Sequence, residues 1–115
     1  MILQEGNKIL IAHRRLFEKD QARFFVGEVN AYEAGIVKAT GHSFLRDMMG
    51  GRLVEKAEPR TKILSLSSGT YLVYQLPDNL LIDSLTFTTD DGTLCLTDGA
   101  GFTMNLSENP HGGRF

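Results

Sequence analysis

Residues 27–41 read GEVNAYEAGIVKATG, with a glycine at each end, a third at position 35, and valines at 29 and 37. Extending the window by a few residues places Phe25, Gly27, Val29 and Ala31 on one side of an extended chain and Phe24, Val26, Glu28, Asn30 and Tyr32 on the other. Beyond Gly35 the alternation resumes, with Val37, Ala39, Gly41 and Leu45 facing one way and Ile36, Lys38, Thr40, His42 and Phe44 the other. A period of two on both sides of Gly35 predicts two strands, over 24–32 and 35–46, with the odd-numbered side of the first one buried. Gly27 has no side chain to pack inside its strand. It is read as a sharp bend or a bulge that lets a short sheet curl onto itself.

Outward from this hairpin, β-branched and aromatic residues recur in short runs separated by Gly, Asn and Asp, an all-β pattern. Residues 9–17 form a candidate strand with apolar side chains on both faces, and alternation there leaves a short helical start around residues 1–5 open. From Met48-Met49-Gly50-Gly51 to Arg60 the sequence reads as a long solvated connection, and Pro59 holds Glu58 in extended geometry. Strands are predicted over 61–66 and 70–76, joined by the tight-turn composition Ser67-Ser68-Gly69 and ended by Pro77. Leu85, Phe87, Leu94, Leu96, Phe102, Met104 and Leu106 alternate with smaller polar residues, and Asp91-Gly92 and 98–101 supply turns, so 84–107 predicts a three-stranded meander. Residues 109–115 are expected to be a flexible tail.

The chain has 115 residues, 42% of them hydrophobic and 23% charged, which predicts one domain with a single core. No apolar run approaches the length of a membrane span, and the first residues lack the pattern of a signal peptide, so the expected location is cytoplasmic. Cys95 is the only cysteine; it forms no intrachain disulfide and reads as a small buried side chain. The match of Asn105-Leu106-Ser107 to a glycosylation pattern has no secretory signal behind it. The net charge of -2 conceals an asymmetry. Residues 1–62 carry 11 Lys or Arg against eight acids, whereas residues 63–113 carry six acids and no Lys or Arg. A polyanion should therefore meet the first half, but the excess there is too small for the footprint of a duplex-DNA binder.

Two strands joined around Gly35, a polar loop, and two more strands joined by a small-residue turn form an informative order. VGEVNAYEAGIVKAT, residues 26–40, and RTKILSLSSGTYLVYQL, residues 60–76, resemble the two motif blocks of the Sm-like (LSm) family, in which the chain would be a divergent member. The resemblance covers residues 8–76 and leaves 77–108 as a C-terminal β extension. It implies a strongly bent five-stranded antiparallel sheet, an SH3-like open barrel, usually preceded by a helix. It also implies a homo-oligomeric ring made by pairing the fourth strand of one subunit with the fifth of its neighbour, here through Thr61, Ile63, Leu64, Leu66, Tyr71, Val73, Tyr74 and Gln75. Single-stranded RNA is the ligand it implies, at Tyr32, Glu33, Gly35, Ser68 and Gly69. No asparagine follows Glu33, and Ser68 stands where the family has an arginine that stacks on a base. These departures bear on an alternative function, a ring that serves as a scaffold for protein partners without nucleic acid.

Several residues admit both a functional and a structural reading. Tyr32 would stack on a base or pack at its strand end; Glu33 would accept from a base edge or solvate the turn. Arg14, Arg15, Lys19 and Arg23 form the best basic patch for phosphate contact. Met48 and Met49 suggest an apolar contact loop or merely loose packing. His13, His42 and His111 are too dispersed for a metal site, and Asp90, Asp91 and Asp98 suit turns better than calcium. No arrangement of nucleophile, acid and base is assembled by the sequence, so neither an enzyme nor a cofactor is expected.

Overall fold

The computed structural model describes residues 2–13, 23–46, 53–90 and 93–106, with the side chains of Arg46 and Asp90 excepted. Arg14, Arg15 and Lys19, the second half of the first expected strand, Met48, Met49, Asp91-Gly92, Ser107, His111 and the expected tail lie outside the described residues. Strands dominate, and no α-helix occurs among the described residues, including the stretch before the first strand. The all-β expectation holds. No helix among these residues is long and apolar enough to cross a membrane. The chain divides into two compact units, Met1–Ile82 and Asp83–Phe115.

In the first unit the strands are β1 (Lys8–His13), β2 (Arg23–Glu33), β3 (Ile36–Arg46), β4 (Leu53–Glu55), β5 (Arg60–Ser65) and β6 (Tyr71–Leu76), with a 3-10 turn, Leu66–Ser68, between the last two. They form one antiparallel sheet in the order β4-β3-β2-β1-β6, and β5 also pairs with β3. The sheet is open. Among the described residues β4 and β5 share one margin, each along a different part of β3, and β6 forms the other; β5 and β6 are consecutive in the chain yet not paired with each other.

β4 was expected to be loop. Its three residues pair with Phe44–Arg46 side of β3 through Phe44↔Glu55, Leu45↔Val54 and Arg46↔Leu53. The register with β3 then changes, because Gly41 pairs with Arg60. Lys56, Ala57, Glu58 and Pro59 thus stand opposite only His42 and Ser43, a bulge with two extra residues. Lys56 N–H donates to Ser43 O at 2.8 Å, and His42 Nδ1 lies 2.9 Å from Lys56 O, which pins both sides of the bulge to β3. Charge masks this strand in the sequence, since only Leu53 and Val54 are apolar between Gly51 and Pro59 apart from Ala57.

Gly27 has a different role from the one its position suggests. It faces Gly41 across the β2–β3 pair, and a Cβ at Gly27 would lie 2.6 Å from Thr40 O and 2.9 Å from the Phe25 ring. A Cβ at Gly41 would meet the backbone of Val26 and Gly27. The two glycines permit close backbone approach, while the irregularity in register comes further on, between Val29 and Ala31. Asn30 is the extra residue. It inverts the parity of β2, so that Ala31 is exposed and Tyr32 turns inward to pack against the core.

That core is built from Leu3, Ile9, Ile11, Phe25, Val29, Val37 and Ala39, with Leu64, Leu66, Tyr71 and Val73 packed against it from the marginal strands and their turn. Burial is not confined to this face. Leu10, Phe24, Val26 and Phe44, on the opposite face, are buried too, so β1 and the first part of β2 are apolar on both sides. The second unit is the expected meander: β7 (Thr86–Asp90), β8 (Thr93–Thr97) and β9 (Thr103–Asn105). Phe87, Leu96 and Met104 stand side by side across its three strands, and Cys95 is buried.

Candidate functional site

The β2–β3 ladder ends at Glu33↔Ile36, which leaves Ala34 and Gly35 as a two-residue loop. Both have positive φ, 49° and 82°, the sign pattern of a type I′ turn. The β3–β5 ladder ends at Ile36↔Ser65, and the next link is Leu66 N–H donating to Gly35 O at 2.8 Å. Strand pairing therefore brings the 33–36 turn and the 66–69 turn together, although residues 37–65 separate them in sequence. Tyr32 is half-buried on the core side, and Glu33 is exposed. Ser68 is exposed, but its hydroxyl is used locally: it donates to Ser65 O at 3.1 Å and lies 2.8 Å from Thr70 Oγ1. Gly69, in the left-handed region at φ 78°, closes the 3-10 turn.

The residues expected at an oligomer interface separate into two groups. Leu64, Leu66, Tyr71 and Val73 pack against the chain's own core, and the Tyr71 ring meets His13 edge-on at 4.8 Å. Thr61, Ile63 and Gln75 are exposed and Tyr74 is half-buried; Ile63, at 69% exposure, is the most exposed apolar side chain of β5, and Leu72, at 40%, is that of β6. Thr61 Oγ1 lies 2.8 Å from Thr40 Oγ1, which donates to Asn30 at 2.7 Å, so a polar row runs across the sheet from β5 to the bulge in β2.

At the far end of the β2–β3 hairpin, the bulge between β4 and β5 walls off a cleft of about 420 Å³. Phe24 and Leu45 contribute apolar surface, Ser43 a hydroxyl, and Arg23, Lys56, Arg60 and Lys62 four cations against the single carboxylate of Glu58. His13 closes the β1 side. Arg60 reaches Glu58 at 3.8 Å, with both side chains largely exposed. The Lys62 ammonium sits 4.9 Å from the centroid of the buried Phe25 ring. Burial lowers the pKa of Lys62, and Arg23 and Arg60 lower it further. Burial likewise lowers that of His13, with Lys62 and Arg23 adding to the effect. Of this cleft the sequence indicated only Arg23, as part of a patch with Arg14, Arg15 and Lys19. A detectable signal was Arg60 and Lys62 at alternate positions of a strand; the gathering of Lys56 and His13 with them depends on the bulge.

The chain matches no protein-family model, no curated protein and no solved structure. What its sites can do therefore rests on their own chemistry. Asp98 accepts from the N–H groups of Ala100 at 2.8 Å and Phe102 at 3.0 Å, and these bonds hold its pKa below the ordinary value. It orders the β8–β9 turn, the local role expected of it. His42 is committed to the bulge through Lys56 O. Among the described residues no group of three His, Cys, Asp or Glu side chains is placed to hold a metal ion. The paired turns offer an exposed carboxylate, hydroxyls and part of an aromatic ring, and the cleft offers positive charge over an apolar floor.

Proposed function

We propose that the protein is a ring-forming homo-oligomer with an Sm-like, strongly bent open barrel, and that single-stranded RNA is its ligand. The observation that carries this reading is the strand order: one margin of the sheet is formed by β5, with β4 beside it on β3, and the other by β6, and β5 and β6 are joined by a short connection built on the 3-10 turn Leu66–Ser68. A head-to-tail contact that lays β5 of one protomer along β6 of the next covers both margins at once and closes by rotation. Ile63 and Leu72, exposed on those strands, gain burial in that contact. The paired turns carry the ligand, with Glu33 and the exposed part of the Tyr32 ring facing it from one turn and Ser68 and Gly69 from the other, while the Gly35 carbonyl, accepting from Leu66 N–H, links the two. Arg14 and Arg15 add phosphate contacts.

Light scattering tests the assembly. The purified chain should have a multiple of the protomer mass, and Ile63→Lys with Leu72→Lys, both exposed positions, should reduce it to one protomer. A wild-type protein that is monomeric at every concentration overturns the proposal. For RNA, affinity for U-rich or A-rich oligomers should fall as salt rises, and Tyr32→Ala should weaken it. The local engagement of the Ser68 hydroxyl favours a second reading, in which the ring is a scaffold for protein partners. A stable ring that ignores RNA at low salt selects that reading.

A further inference from the structure

We infer that the cleft between the β4–β5 bulge and the end of the β2–β3 hairpin is a binding site for a multiply charged phosphate group, separate from the paired turns. The Ala12↔Phe24 pair brings His13 and Arg23 to its mouth, and the Gly41↔Arg60 and Ala39↔Lys62 pairs set Arg60 and Lys62 two residues apart on one strand. The bulge supplies Lys56 from the third side.

Three properties single this place out. Four cations share a cleft with one carboxylate, which already serves Arg60, and among the described residues Arg23, Lys56 and Lys62 have no carboxylate within ion-pair distance. The charge is not wholly on the surface, because Lys62 is half-buried over Phe25, where water screens it less than it would an exposed lysine. The like charges act on one another: burial is the main reason that Lys62 and His13 hold their protons less firmly, and Arg23 and Arg60 beside Lys62, and Lys62 and Arg23 beside His13, add to it. An anion in the cleft reverses that repulsion. Two guanidinium groups give it forked donors, and two ammonium groups compact charge. The cavity, about 420 Å³, has room for more than one phosphate group. The phosphate can come from a free small polyphosphate or from the backbone of a nucleic-acid strand.

The test uses the full chain with two probes, inorganic pyrophosphate and an unstructured single-stranded RNA oligomer, each titrated by calorimetry at low and high salt. Arg23→Gln combined with Arg60→Gln changes two exposed side chains and should weaken binding by about tenfold or more. Lys62→Gln should act in the same direction; if it unfolds the protein by removing the contact with Phe25, the exposed pair carries the test by itself. Lys38→Gln, at the other half of β3, should leave binding unchanged. An independent readout is the imidazole of His13 followed by NMR: the bound anion offsets Lys62 and Arg23, so the pKa of His13 should rise when pyrophosphate is added. Binding of pyrophosphate identifies a free polyphosphate as a sufficient ligand, and binding of RNA alone identifies the backbone of a strand. Either supports the site provided it is weakened by the arginine pair. No binding of either probe at low salt, or binding indifferent to both arginines, overturns it. Tyr32→Ala separates this site from the paired turns, since it should affect RNA and leave pyrophosphate untouched.

Discussion

Ala34 is the one described non-glycine residue with positive φ, at 49°. For an L-residue with a Cβ the left-handed region costs about 1 kcal/mol, and the type I′ turn imposes it on both central positions. Asparagine tolerates that region, because its short polar side chain can bond to the nearby backbone. Ala34→Asn should therefore stabilise the protein by about 0.5–1 kcal/mol, read as a higher urea midpoint at unchanged slope, whereas Gly35→Ala should lower that midpoint. The order Ala-Gly in the sequence located a turn. It did not show that alanine would occupy the position glycine prefers, because that depends on a two-residue loop length fixed by the Glu33↔Ile36 pair.

Along the strands, the informative events are departures from regular pairing. The β2–β3 hairpin is uninterrupted from Arg23↔Leu45 to Val29↔Ala39, and at its centre Gly27 and Gly41 face each other. Replacing Gly41 by alanine drives a Cβ into the Val26 carbonyl and the Gly27 Cα, backbone atoms that cannot swing aside. Gly41→Ala should cost roughly 3 kcal/mol or more, measured by urea denaturation, and Gly27→Ala should cost less because one of its close contacts is the edge of the Phe25 ring. The bulge at Asn30 explains why the sequence placed Ala31 inside and left Tyr32 facing away. Alternation is a sound guide only while the count of residues matches on both strands. The same reason accounts for β4 and the cleft: two extra residues between Glu55 and Arg60 turn a charged, loop-like stretch into a strand, a bulge and a second strand.

At the scale of the whole molecule, the proposed ring has a thermodynamic signature that a solitary protomer lacks. If the margins of β5 and β6 are covered by neighbouring protomers, folding and assembly are coupled, and the melting temperature must rise with protein concentration. Calorimetry over a wide concentration range should show that rise in the wild type and lose it in the Ile63→Lys, Leu72→Lys variant. A concentration-independent melting temperature, together with a monomeric mass, argues that the margins need no partner.

The sequence by itself determined the all-β class, the hairpin about Gly35, the two strands that flank Ser67-Ser68-Gly69 and the three-stranded meander. In each case the signal is local: side chains two apart share a face, and glycine or aspartate marks the chain reversal. Only the tertiary structure decided the side-by-side placement of the two turns, the inward rotation of Tyr32, the close approach of Gly27 to Gly41 and the collection of five basic side chains from β1, β2, β5 and the bulge into one cleft. Each of these depends on which residue of one strand faces which residue of another. Register is set jointly by distant segments, and no single segment carries it.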